Sequence, residues 1–321
     1  MSEQDSAEFL GPAIGSVAPG IMRPLWSVMI PTCNCALFLI ETLESVLRQA
    51  PQPDRMEIVV VDDVSNEDDP EAVARQVGGD RVRFVRNEKR LGVSGNFNRC
   101  LEISRGELVH ILHGDDFVAA GFYREIEALA ARFGDCAFYA TRSTIIDEDG
   151  NVKATSEDLA AFELPTTDVS GIVMAQPFRT PSVVVRRSFY ERHGGFALDL
   201  VHCADWEMWV RAIRLGSGVT SPEALAFYRT FEGNDSSRLV RTGEAIRDHM
   251  RIADRYENFP GFNRQRFTKM WAKIAFARAQ LFLKEGDTAA CQANLDVYRA
   301  LWPAWRRWLY EFRKGKMRTP A

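Results

Sequence analysis

The chain reads as an α/β fold, an open mixed sheet flanked by helices, with an all-helical C-terminal extension. Three observations predict it. Apolar, β-rich runs alternate with helical patterns from Trp26 to His113. Two of those runs, "WSVMIP" at 26–31 and "MEIVVVDD" at 56–63, are separated by a single helical pattern, and the second is apolar almost throughout. Such strands are expected where a parallel sheet is covered on both faces. After about residue 240 only helical patterns remain.

The elements follow in order. Between the first two strands, Ala36 to Gln49 places Leu39, Leu43, Val46 and Leu47 at helical spacing, which makes a βαβ unit. A third strand is expected at "VRFVRN" (82–87), a helix around 95–104, and a fourth strand at "ELVHILH" (107–113). From 135 the rhythm changes. "CAFYATRSTIIDEDGNVKA" reads as strands joined by a hairpin turn at Asp149-Gly150, which gives the sheet a mixed edge. A strand "SVVVR" (182–186), a Gly-Gly break at 194–195, a helix near 204–215 and a last strand around 224–229 complete this region. Three helical segments follow: "EAIRDHMRIADRYEN", "RFTKMWAKIAFARAQLFLKEG", closed by Gly286, and "TAACQANLDVYRALW", reaching Pro303. The expected organisation is a flexible leader at 1–24, an α/β domain at 25–235 and a helical extension at 240–321.

Composition excludes several classes. Lys and Arg number 40 against 44 for Asp and Glu, a net charge of -4, so no general attraction to nucleic acid is implied. The six cysteines are scattered without a CxxC pair, and Cys33-Asn34-Cys35 has neither the spacing nor the second ligand pair of a structural zinc site. No apolar run approaches the roughly 18–20 residues that span a bilayer. A reduced, cytoplasmic chain is expected.

In an open parallel sheet the ligand crevice lies at the carboxyl ends of the strands. Three strand ends are polar here: "PTCN", "DDVSN" and "HGDD". Each alone is good turn or cap chemistry. Together they would meet in one crevice. Neither GxGxxG nor GxxxxGK[ST] is present, so a diphosphate would be held another way. Paired strand-end acids can do so through a hard divalent cation.

With those segments in place, the chain resembles glycosyltransferase family 2, the inverting nucleotide-sugar transferases of the GT-A fold. The resemblance spans residues 25–230 and rests on "SVMIPTCN", "EIVVVDDVS", "RNEKRLGVSGNFNRCLEISRGELVHILHGDDF", "PSVVVRRSFYERHGGF" and "ADWEMWVR", in that order. It implies that Pro31, Thr32 and Asn34 line a nucleobase pocket and that Asp63 bonds the base, with Asp62 beside it. Gly92 to Asn98 would lie along the donor, with Asn96 in contact. Asp115 corresponds to the last acid of the family's DxD motif, holding Mn²⁺ or Mg²⁺ and the diphosphate, while Asp116 contacts the donor sugar or caps the next helix. Asp205 matches the catalytic base, in a position that N-capping would also explain. Trp206 and Trp209 offer acceptor stacking or simply core. The implied donor is a UDP-sugar, and the acceptor a glycan or lipid-linked saccharide of bacterial surface polysaccharide.

The pattern departs from the family at three points. His113 stands where the DxD motif opens with Asp, Ala204 replaces the acid before Asp205, and Phe231 stands where many members have His. His113 as a neutral imidazole is a transition-metal ligand or, equally, a neutral histidine of the core or one that only supports the ligands. The tail at 302–318 carries six basic residues against one acid, with Trp302, Trp305, Leu309 and Phe312 at helical spacing. That pattern suits a helix on an anionic membrane surface, at the inner face of the cytoplasmic membrane, and equally a helix packed on the protein. Two other readings compete: a degenerate, non-catalytic nucleotide- or glycan-binding module, and a nucleotidyltransferase, for which "PTCNCALF" lacks the basic, Gly-rich loop.

Overall fold

The computed structural model describes residues 11–156 and 162–303. It divides into two units, Met1–Thr230 and Phe231–Ala321.

In the first unit the chain runs β1 (Trp26–Thr32), α1 (Ala36–Leu47), β2 (Met56–Asp62), α2 (Pro70–Gly78), β3 (Arg83–Arg86), α3 (Gly92–Ile103), β4 (Leu108–Ile111), β5 (Phe117–Val118) and α4 (Phe122–Arg132). It continues with β6 (Phe138–Ile146), β7 (Val152–Thr155), β8 (Val183–Arg186), α5 (Arg187–His193), α6 (Ala204–Gly216) and β9 (Gly218–Arg229). The strands form one sheet ordered β3-β2-β1-β4-β8-β6-β9-β5, with β7 beside β6. From β3 to β4 all pairs are parallel, with Ile30 opposite Val60 and Met29 opposite Ile111. β8 joins β4 antiparallel, and β6 joins β8 antiparallel, so the sheet is mixed as expected.

The apolar periodicity of α1 does what its spacing implies. Leu39, Leu43 and Val46 are buried against Val28, Ile30, Ile58 and Val60, each burial being worth about 1.5–3 kcal/mol. β2 follows β1 on one side while β4 lies on the other. Strand order thus reverses at β1, the topological position at which α/β sheets open a ligand crevice.

Two segments differ from the reading of the sequence. β9 begins at Gly218 rather than near 224, although it contains Pro222. Its pairing with β6 shifts register there, from Ala140–Thr220 to Arg142–Ala224, and a bulge tolerates a residue that cannot donate to the ladder. The leader is docked along part of its length: the Gly195 N–H donates to Pro12 O at 2.8 Å, Arg187 donates to Gly15 O at 3.0 Å, and Ile14 is buried. Gly11 permits this approach, because a Cβ there would meet the Gly195 carbonyl.

The second unit contains α7 (Asp235–Arg241), α8 (Glu244–Arg255), α9 (Arg264–Glu285) and α10 (Thr288–Leu301). Gly286, at φ 81°, closes α9 with Gly286 N–H to Leu283 O and Asp287 N–H to Phe282 O, the Schellman pair of bonds. Asp287 then caps α10 through the Ala290 N–H. Ala272, Ala275, Ala279 and Ala290 sit in the shared core with Phe276, Leu295 and Tyr298. Among the described residues no helix is long and apolar enough to cross a membrane. Beyond Pro303, the basic tail lies outside the described residues.

Candidate active site

The ends of β1, β2 and β4 come together through side-chain bonds between their loops. After β1, Asn34 adopts φ 52°, and its side-chain oxygen accepts from Asn66 N–H at 2.9 Å and Glu67 N–H at 3.2 Å. Its own N–H donates to Ser65 Oγ at 2.8 Å. Asn34 therefore ties the β1 loop to the β2 loop. Pro31 and Thr32 are buried, and Thr32 Oγ1 lies 2.8 Å from Cys35 Sγ. Burial and the charge of Asp115 push the Cys35 thiol up to about 12, so it stays protonated beside the site.

At the end of β2 the two acids part company. Asp62 is fully buried and accepts from Arg86 Nε at 2.7 Å and from the Ser65 N–H and hydroxyl. Asp63 faces the start of α3, accepting the Leu91 and Gly92 N–H groups at 2.8 Å each and Asn87 Nδ2 at 2.9 Å. A carboxylate at a helix N-terminus also meets the positive end of its dipole. Between them and Ser65, Val64 is held at φ 59°, where a β-branched side chain is strained.

The β4 end carries His113, Gly114, Asp115 and Asp116. Gly114 is required by close approach, since a Cβ there would lie 2.8 Å from Cys35 Sγ and 3.0 Å from Thr32 Oγ1. Asp116 is buried, accepting the Arg229 N–H at 2.8 Å on one oxygen and meeting His113 Nδ1 at 2.9 Å on the other. Arg229 braces the same turn, its guanidinium donating to the carbonyls of Asp115 at 3.0 Å and Glu148 at 2.8 Å. The Asp115 side chain accepts no hydrogen bond from any other described residue. Burial and the Asp116 charge push its carboxyl up to about 7, against the opposing pull of His113 and Arg229. For His113, burial disfavours the imidazolium, but the bond to Asp116 and the charges of Asp116, Asp115 and Asp205 outweigh it and raise its pKa.

Asp205 lies in the first turn of α6 and is not its N-cap, which is Cys203. One carboxylate oxygen accepts Gln176 Nε2 at 2.7 Å and Thr180 Oγ1 at 3.2 Å, the other the Trp206 N–H at 2.7 Å. Its charge is felt at His113, so the two groups share one electrostatic environment. Trp206 and Trp209 are both 1% exposed and belong to the core, with Trp206 Nε1 donating to Ile172 O.

Three positions differ from what the resemblance implies. Asp62, Asn96 and Asp116 face inward, because their polar atoms are spent within the protein. Asn96 donates to Val61 O and accepts from Asn87, both at 3.0 Å, which sets the floor behind Asp63. Sequence reasoning missed Gln176, Thr180, Asn87 and Arg229 as supports. Only Arg229, next to Tyr228 at a strand end, gave a signal.

A nitrogen of His113 and an oxygen each of Asp115 and Asp116 lie within 4.8 Å of one another. His113 Nε2 is buried with no hydrogen-bond partner among the described residues. An orphaned imidazole nitrogen beside an unpartnered carboxylate fits a divalent cation.

The chain is similar to known proteins in sequence and in fold. A Mycobacterium tuberculosis protein, MT1568, is 30% identical over 259 residues, covering 75% of this chain and 78% of that protein. The structure of Staphylococcus aureus TarS 1-349 in complex with UDP-GlcNAc superimposes with a TM-score of 0.56 at 16% identity, over 92% of this chain and 93% of that one. The mannosyltransferase PcManGT from Pyrobaculum calidifontis, in complex with GDP-Man and Mn²⁺, gives 0.56 at 17% identity, over 97% and 84%. The profile of glycosyl transferase family 2 matches residues 27–194, from β1 through the end of α5. The chain belongs to glycosyltransferase family 2 and has the GT-A fold.

Proposed function

We propose that this glycosyltransferase moves a sugar from a nucleotide-diphosphate donor, a UDP-sugar, to a glycan or lipid-linked saccharide acceptor in surface polysaccharide assembly, inverting the anomeric configuration. The observation that carries the reading is a pair of acids whose charges both act on His113 but which are held differently: Asp115 is unpartnered by other residues, and Asp205 is held by Gln176 and Thr180.

Asp205 takes the proton from the acceptor hydroxyl as that oxygen attacks the anomeric carbon. A general base within hydrogen-bond reach contributes roughly 10²- to 10⁴-fold. The Gln176 and Thr180 bonds fix which carboxylate oxygen faces the acceptor. On the donor side Asn34, Pro31 and Thr32 shape the base pocket, and Asp63 bonds the base while holding the start of α3. Asp115 and His113 would hold a divalent metal, whose positive charge would stabilise the departing diphosphate. A lipid-linked acceptor lies at a membrane, to whose anionic face the basic residues from Arg306 to Arg318 would be attracted; truncation after Pro303, which keeps the buried Trp302, should then weaken liposome co-sedimentation, and equal binding refutes that element.

The test of the whole reading is Asp205→Asn with a panel of nucleotide sugars and Mn²⁺. UDP should still raise the melting temperature while transfer falls by about 10²-fold or more. Full transfer in this variant would remove Asp205 from the chemistry.

A further inference from the structure

We propose that His113 makes this a mixed nitrogen and oxygen metal site, which selects Mn²⁺ or a later first-row transition cation over Mg²⁺. The inference rests on reading the crevice as a donor-diphosphate site.

The argument starts at Asp116. Its two oxygens are fixed from opposite sides, one by the Arg229 N–H at 2.8 Å and one by His113 Nδ1 at 2.9 Å. A carboxylate can only accept, so Nδ1 carries a proton; a metal takes the neutral ring, in which Nε2 then offers the lone pair. The ring is not free to seek another partner. It stacks on Phe97 with centroids 5.4 Å apart and planes 15° from parallel. Nε2 is nonetheless buried without a hydrogen-bond partner among the described residues, and a buried polar atom left in that state calls for a ligand.

The arrangement is that of a carboxylate orienting a metal-binding imidazole, in which the outer acid sets the tautomer and raises the basicity of the ligating nitrogen. Asp116 is here the positioning residue, and Asp115 supplies the oxygen ligand. The chemistry of that donor set decides the metal. Mg²⁺ demands oxygen ligands in near-ideal octahedral geometry, whereas imidazole suits the transition metals, with affinity rising from Mn²⁺ toward Cu²⁺. Two acids at 113 and 115 would serve either kind of ion. His113 with Asp115 favours one of them.

The test uses the full chain and Mn²⁺ itself. Pulsed EPR of bound Mn²⁺ should show coupling to an imidazole nitrogen, and the coupling should change when the protein is labelled with ¹⁵N-histidine. That readout needs no substitution. Competition between Mn²⁺ and Mg²⁺ should then show His113→Asp losing the nitrogen coupling and narrowing the Mn²⁺-over-Mg²⁺ preference by on the order of tenfold, while Asp116→Asn weakens Mn²⁺ by about 10- to 100-fold. Mn²⁺ bound without nitrogen coupling, or an unchanged metal ratio in His113→Asp, overturns the inference. A melting screen with UDP, GDP, dTDP and CDP separates the two readings. A nucleotide shift without nitrogen coupling leaves the donor site standing and ends the metal inference. Nitrogen coupling without any nucleotide shift supports the metal site and counts against the donor reading.

Discussion

Two strands of this sheet lead into the same dipeptide, Asp-Asp, and use it in different ways. At the β2 end both acids are satisfied by the protein, Asp62 through Arg86 and Ser65, Asp63 through Asn87 and the first N–H groups of α3. At the β4 end one acid, Asp116, is spent on His113 and Arg229, while Asp115 accepts from no neighbouring residue and its carboxyl is pushed up to about 7. The first pair builds the loops, and only Asp63 bonds the base in addition on the proposed reading. The second keeps a charge in reserve for something the protein does not itself contain. A half-buried acid without a side-chain partner is costly, and such groups concentrate at functional sites.

The comparison can be broken by substitutions, beginning with the largest effect. Asp115→Asn should lower transfer by about 10²-fold or more, by the loss of charge stabilisation at the leaving group, with little change in urea unfolding. Asp62→Asn should do the opposite, costing about 1–3 kcal/mol in urea unfolding because the charge is lost and one acceptor oxygen becomes an NH₂ donor facing Arg86 or Ser65, while the folded fraction still binds donor.

The histidines extend the contrast. His110, three residues before His113, is fully buried, with Nε2 at 3.0 Å from Pro181 O and Nδ1 at 3.2 Å from the Tyr123 hydroxyl. Burial lowers its pKa to about 4. Its folded pKa lies below its unfolded value of 6.5, so the unfolded chain binds the extra proton and stability is lost as the pH falls from 6.5 toward 4. The loss should reach roughly 3 kcal/mol, at 1.36 kcal/mol per pKa unit. Denaturant titrations of wild type and His110→Gln across this range should show a flatter pH dependence in the variant. The smallest effect is at Val64. Val64→Gly relieves the strain at φ 59° and should stabilise by about 0.5–1 kcal/mol without altering donor binding, as urea midpoints would show.

Much of the fold was legible in the residues. Apolar runs ending in "PTCN", "DDVSN" and "HGDD" located three strand ends, and the spacing of Leu39, Leu43 and Val46 located the helix that covers two of them. What remained hidden depends on direction. The two aspartates of each pair diverge at the turn that follows the strand, and nothing local says which one turns inward to Arg86 or to Arg229. Those partners come from 24 and 113 residues away. The same holds for Asp205. Its place before two tryptophans suggested a cap, but the cap position fell to Cys203 and its partners came from the loop carrying Gln176 and Thr180. The start of β9 was hidden as well, since Pro222 cannot donate to a ladder and only the register shift between β6 and β9 accommodates it.

The central claim is that Asp115 is held for a ligand while Asp62 is held for the fold. Melting curves of wild type, Asp115→Asn and Asp62→Asn at pH 8, each with and without UDP and Mn²⁺, test it most directly. Without ligand, Asp115→Asn should melt no lower than wild type, because an acid whose folded pKa exceeds its unfolded value destabilises the fold once ionised, and it should lose the shift produced by UDP and Mn²⁺. Asp62→Asn should melt lower and keep that shift. An Asp115→Asn protein that melts lower yet retains the full ligand shift, with Asp62→Asn losing it, would contradict the account.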